Sequence, residues 1–153
     1  MLASDLKEKP GREAEAITGY AAKRKPKMAV FHCVNALDDA VFLPFTCRDE
    51  AEVKVVKLPC SIMITDIYLL KAFEAGANNV LIFACPEGQC RYVKGSIRTT
   101  KRVARVKKML EDIGLGSKHL SLFNISQGDG DTAYRIIEEK LAELICPADG
   151  VDR

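Results

Sequence analysis

Four short runs dominated by β-branched and aromatic residues punctuate the chain: MAVFHC from Met28, VKVVKLPC from Val53, NVLIFAC from Asn79 and LSLFNIS from Leu120. Each is apolar almost throughout rather than alternating, which is the pattern of a strand buried on both faces. The segments between them carry a different period. Ile62 to Ala75 reads as a helix closed by Gly76, because glycine readily takes the left-handed position that ends a helix. Val103, Val106, Leu110 and Ile113 recur at helical offsets before Gly114, forming one buried stripe. After the fourth run, Asp129 and Asp131 can cap a last helix. Its apolar face holds Ala133, Ile136, Ile137, Leu141, Leu144 and Ile145, and Pro147 stops it. Residues 34–52 lack a clear period; Pro44 excludes a long helix, and Phe42, Leu43 and Phe45 point to a packed loop or short helices.

Buried strands alternating with helices imply a parallel sheet covered on both faces. The expected fold is therefore α/β, a Rossmann-like or flavodoxin-like three-layer domain with a parallel sheet of about four strands. Residues 28–153 form this domain, and residues 1–27, polar and carrying Lys23, Arg24, Lys25 and Lys27, form an N-terminal arm. A hydrophobic content of 48% over 153 residues supports one core. With 23 basic and 21 acidic residues, the chain as a whole offers no polyanion-binding argument. No apolar run approaches the roughly 18 residues needed to span a bilayer, and the N-terminus lacks the apolar segment of a secretory signal. The expectation is a cytoplasmic protein with no membrane insertion.

Six cysteines in a reducing compartment call for a reading as thiols or ligands rather than disulfides. Ligands in an open α/β sheet bind outside the carboxyl ends of the strands. Cys33, Cys60 and Cys85 each end a strand run, and Cys90 lies in the loop after Cys85. Neighbouring parallel strands lie about 4.8 Å apart, so four thiols can converge on one edge. A four-thiolate site suits zinc or an iron-sulfur cluster, both of which favour soft sulfur ligands. Within the C-x4-C loop, Gly88 permits a tight turn and Pro86 stiffens it. Cys47, in the uncertain loop, is a possible fifth ligand; Cys146, after the last helix, reads as incidental. The alternative of small buried hydrophobes fits any one cysteine better than four at equivalent strand ends.

These segments resemble the delta subunit family of methyl-viologen-reducing hydrogenase, the hydrogenase iron-sulfur subunits, from about Met28 to Ile145. The most specific part is LLKAFEAGANNVLIFACPEGQCRYVKG, in which a helix end leads into a strand and then Cys, four residues, Cys, an aromatic and Gly. The Cys60-Ser61 pair, KRVARVKKMLEDIGL and ISQGDG fall where the family has like segments. The resemblance implies a two-iron two-sulfur (2Fe-2S) cluster held by Cys33, Cys60, Cys85 and Cys90. It also implies an electron-transfer role in an oxidoreductase complex of anaerobic metabolism, beside a heterodisulfide reductase A-like flavoprotein. One position departs: the family's first motif is usually Cys-x-x-Cys, and Ala36 stands where the second thiol would be.

Other residues weigh less. His32 points to the opposite face from Cys33 in a strand, which favours a structural role. Asp38 and Asp39 suit helix capping better than acid-base work. Arg91, Lys94, Arg98, Lys101, Arg102, Arg105, Lys107 and Lys108 fall in a span with no acid, readable as a solvated helix face or as a docking face for an acidic partner. Nucleic acid is disfavoured, since Tyr92 alone offers stacking there. Two functions compete: a non-catalytic electron relay, and a zinc-stabilised interaction module using the same four cysteines. A thiol oxidoreductase ranks below both, because C-x4-C is not the C-x-x-C redox spacing.

Overall fold

The computed structural model describes residues 25–116 and 119–146. The arm expected over residues 1–27 lies, up to residue 24, outside the described residues. Four parallel strands, β1 (Lys27–Cys33), β2 (Glu52–Leu58), β3 (Asn79–Ala84) and β4 (Leu120–Asn124), form one sheet in the order β2-β1-β3-β4. The helices are α1 (Leu43–Thr46), α2 (Asp66–Glu74), α3 (Gly95–Asp112) and α4 (Gly130–Ile145).

Alternation of side chains along the strands divides the core in two. Met28, Val30, Leu81 and Phe83 meet Phe42, Phe45 of α1, and Ala133, Ile137 and Leu141 of α4. Ala29, Phe31, Val80, Ile82 and Leu120 meet Leu69 of α2 and Val103, Val106 and Leu110 of α3. The result is the expected three-layer α/β fold. Its winding reverses once. From β1 the chain moves outward to β2, then crosses back over β1 to β3 and continues to β4. The β1–β2 link therefore packs on one face, and α2 and α3 on the other, as right-handed crossovers require. The carboxyl ends of β1 and β3 flank that switch point, where such sheets open a crevice.

Two local expectations change, and two hold. The helix expected from Ile62 to Ala75 is split into a 3-10 turn, Ser61–Met63, and α2, because the Thr65 hydroxyl accepts the Tyr68 N–H and starts the helix afresh. Gly76 closes α2 at φ +98°, a left-handed conformation. Asp129 stands at the head of α4, but its side chain caps no N–H; Asp131 contributes only its charge to the first turn. Residues 34–52 resolve into short pieces, a 3-10 turn (Asp39–Phe42) and α1, as Pro44 dictates.

Candidate metal centre

Cys33 is the last residue of β1, Cys85 follows β3 directly, Cys60 lies two residues beyond β2, and Cys90 sits in the loop before α3. All four are buried, whereas Cys47, at the end of α1, and Cys146, at the end of α4, are exposed. The four expected site residues are brought to one place. The Cys33 and Cys85 sulfurs stand 3.7 Å apart. Cys60 and Cys90 meet each other beside Gly95, the first residue of α3. A Cβ built there would lie 2.7 Å from the Cys60 sulfur and 2.8 Å from the Cys90 sulfur. The electrostatic environment of Cys85 includes the other three sulfurs. Cys47 is not among them; its nearest polar neighbour is the Thr46 hydroxyl, at 4.0 Å.

Several contacts that the linear sequence did not announce hold this arrangement. The Arg102 guanidinium, half-buried on α3, donates to the carbonyls of Ile62 and, at 3.0 Å, Ile64, clamping the turn that carries Cys60. Thr99 donates to the Gly95 carbonyl at 2.8 Å and to the Ser61 hydroxyl at 3.1 Å, tying the same turn to the first turn of α3. The Asn124 side chain, at the end of β4, donates to the Cys85 carbonyl at 2.8 Å. Ser126 donates to the Gln89 side chain at 3.3 Å, pinning the Cys85–Cys90 loop from the β4 side. These partners lie 37 to 40 residues apart in sequence, beyond the reach of any local pattern. The loop closes with Val93 at φ +58°, a conformation that strains a β-branched residue.

The two ends of the site differ electrically. Burial, and next the neighbouring Cys33, push the Cys85 thiol up to about 12. Burial likewise raises Cys60, against the N–H of Ile62. At Cys90 burial also pushes upward, but the N–H groups of Tyr92, Ser96 and Gly95 outweigh it, and the thiol falls below its ordinary value. Burial thus disfavours the thiolate at Cys60 and Cys85, and a cation among the sulfurs would favour it. His32 is fully buried, packed with its ring centre 4.6 Å from that of Phe42, and held neutral by burial, with Asp39 3.4 Å away opposing that shift. Asp38 accepts the Ala40 N–H, and Asp39 pairs with Lys57 at 2.7 Å.

The residues fit a soft metal group by two tests. Two thiolates on one tetrahedral ion with metal–sulfur bonds of about 2.3 Å stand roughly 3.8 Å apart, and the Cys33–Cys85 separation of 3.7 Å meets that spacing. Gly95 leaves free the space between the other two sulfurs that any side chain would fill. Among the described residues, no three His, Cys, Asp or Glu side chains are gathered tightly enough for a single ion.

The basic span divides. Arg91, Lys94, Arg98 and Lys101 are exposed beside the site and along α3. Arg102 is instead spent on the Cys60 turn, and Arg105 pairs with Asp66 at 2.6 Å. Around the Cys90 loop, Tyr92, Val93 and Met63 are each more than half exposed, adding apolar surface to the charge.

Fold and site together define a class: a small three-layer α/β domain with a four-cysteine centre at the sheet's switch point. The chain belongs to the methyl-viologen-reducing hydrogenase delta subunit family, whose model matches residues 30–145. It is 29% identical over 121 residues to the iron-sulfur subunit of the vhu hydrogenase of Methanocaldococcus jannaschii, covering 78% of this chain and 90% of that one. The corresponding protein of Methanococcus maripaludis is 26% identical over 117 residues, 75% of this chain and 87% of that one. The A component of the ferredoxin:CoB-CoM heterodisulfide reductase of Methanosarcina mazei is 32% identical over 92 residues, 60% of this chain but 12% of that much longer one. Among the described residues, no helix is long and apolar enough to cross a membrane.

Proposed function

We propose that this protein is an electron-transfer subunit of a hydrogenase-like or heterodisulfide-reductase-like complex, holding a 2Fe-2S cluster on Cys33, Cys60, Cys85 and Cys90. The observation that carries the reading is the convergence of those four buried sulfurs, Cys33 beside Cys85 and Cys60 beside Cys90 against Gly95, at the switch point of the sheet. When bound, the cluster accepts and returns one electron.

The chain's own residues hold and present the group. Arg102, Thr99 and Asn124 fix the turns that carry the ligands, and amides at the head of α3 face Cys90. Exposed Lys94, Arg98 and Lys101 next to apolar Tyr92 and Val93 form the face offered to a partner. That partner is a heterodisulfide reductase A-like flavoprotein. The support is that a segment like this chain occupies 12% of such a protein in Methanosarcina mazei, joined covalently to the remainder. The unpaired cysteines suit work in the reducing cytoplasm.

Anaerobic purification with iron, sulfide and zinc analysis and a visible spectrum tests the reading. About two irons and two sulfides per chain with sulfide-to-iron absorbance is expected. A colourless protein with one zinc would establish the zinc-stabilised module instead.

A further inference from the structure

Ser96, the second residue of α3, is fully buried, and its hydroxyl has no hydrogen-bond partner among the described residues. A buried hydroxyl left unpaired is disfavoured, so such groups in folded proteins have an acceptor. The other hydroxyls of this helix are accounted for: Thr99 donates to Ser61 and to the Gly95 carbonyl, and Thr100 donates to the Ser96 carbonyl. Ser96 also places its backbone N–H against the Cys90 sulfur, which puts the residue at the wall of the four-cysteine site. Resting on the cluster reading above, we propose that the Ser96 hydroxyl donates a hydrogen bond to the cluster and, with the first-turn amides of α3, holds the added electron at the Cys60 and Cys90 end.

The donors around the site are unequally placed. Ile62 offers its N–H to Cys60, and Tyr92, Ser96 and Gly95 offer theirs to Cys90. Cys85 is set by burial and the neighbouring sulfurs. The positive end of the 18-residue helix α3 adds to the same side. A two-iron cluster that gains one electron holds one ferrous and one ferric iron. The extra negative charge settles where donors and the helix end stabilise it, and hydrogen bonds to sulfur raise the reduction potential. Cys90 is also the least buried of the four, so a cluster held here would be nearest to solvent, and to an approaching partner, on its Cys90 side. Ser96 is thus a positioning and tuning residue, with no ligand role.

The test compares wild type, Ser96→Ala and Ser96→Thr in the full chain, each reduced by one electron with dithionite. Three quantities are read: iron and sulfide content, midpoint potential from the visible absorbance, and the Mössbauer spectrum of the 57Fe-loaded reduced form. Ser96→Ala is expected to load iron, titrate at a more negative potential, and shift the ferrous component while leaving the ferric one in place; Ser96→Thr, which keeps the hydroxyl, stays near wild type. An unchanged potential in Ser96→Ala, or a change confined to the ferric component, overturns the inference and leaves the cluster reading standing. Wild type that holds no iron overturns both. If Ser96→Ala folds but loads no iron, loading by Ser96→Thr supports the hydroxyl's role, whereas failure of both assigns Ser96 to packing alone and overturns it.

Discussion

Replacing Gly95 by alanine puts a methyl group into the space between two sulfurs. The added carbon would lie 2.7 Å from Cys60 Sγ and 2.8 Å from Cys90 Sγ, where unstrained non-bonded contacts begin near 3.5–4.0 Å. Both sulfurs, or the head of α3, must therefore move by close to an ångström. Overpacking of a tight site costs typically ~1–3 kcal/mol. Removing a glycine from a helix returns up to ~1 kcal/mol, and less at the first position, where the helix is only half formed. The metal-free protein should accordingly lose no more than about 3 kcal/mol, read as a shift of its urea midpoint, and remain folded. Ligand geometry is less forgiving than stability, because a sulfur displaced by this much no longer meets metal–sulfur bonds fixed near 2.3 Å. Gly95→Ala is therefore expected to retain its far-ultraviolet circular dichroism and lose most of its iron and visible absorbance. Gly88→Ala is the control. Gly88 is left-handed at φ +81°, so alanine is strained there, but its Cβ would meet nothing within 4 Å; it should lose stability while keeping iron. A Gly95→Ala protein with full iron content and an unaltered spectrum would refute the claim that this gap belongs to a metal group.

Other substitutions probe the remaining parts. Cys60→Ser and Cys85→Ser should lower iron content far more than Cys146→Ser or Cys47→Ser, whose sulfurs are exposed and away from the four; equal content in all four variants would remove the ligand assignment. Arg102→Gln loses charge-assisted bonds to the Ile62 and Ile64 carbonyls and is expected to destabilise the metal-free protein by ~1–3 kcal/mol in urea titration, with weaker cluster retention; an unshifted midpoint would show that the clamp contributes nothing. Reversing Lys94, Arg98 and Lys101 to glutamate should weaken co-purification with a heterodisulfide reductase A-like flavoprotein most strongly at low salt and leave the visible spectrum unchanged, since surface charge acts within a Debye length of about 10 Å at 0.1 M. Association unaffected at every salt concentration would direct the search for the docking surface to residues 1–27.

The layers were legible because β-type runs and helical stripes each report a face that must be buried: Val80, Leu81, Ile82 and Phe83 are apolar in sequence and wholly inaccessible in the fold. The meeting of Cys33, Cys60, Cys85 and Cys90 was legible for a topological reason, since the ends of parallel strands fall on one edge whatever joins them. What stayed hidden depends on side chains meeting across that edge. Arg102 reads in sequence as one of eight basic residues on a helix face, and nothing in its neighbourhood marks it as the residue that turns inward. Gly95 gave no sign either: a glycine before a helix suggests a turn, whereas its role here rests on two sulfurs that approach it from residues 60 and 90.

Ala36 shows how the site tolerates its departure from the family pattern. Its N–H donates to the Cys33 carbonyl at 2.9 Å, closing a tight turn directly after β1, and its methyl is fully buried in the core that also contains the four cysteines. A thiol at this position would therefore join that core as a fifth sulfur. Cys33 and Cys85 already stand, without it, at the 3.7 Å spacing of ligands sharing one tetrahedral metal. Exposed Cys47 need not move inward to replace it. Ala36→Cys should leave the iron count per chain unchanged in anaerobically purified protein, because four buried sulfurs already converge without it. A rise in iron content on that substitution would mean that the site as it stands is short of a ligand.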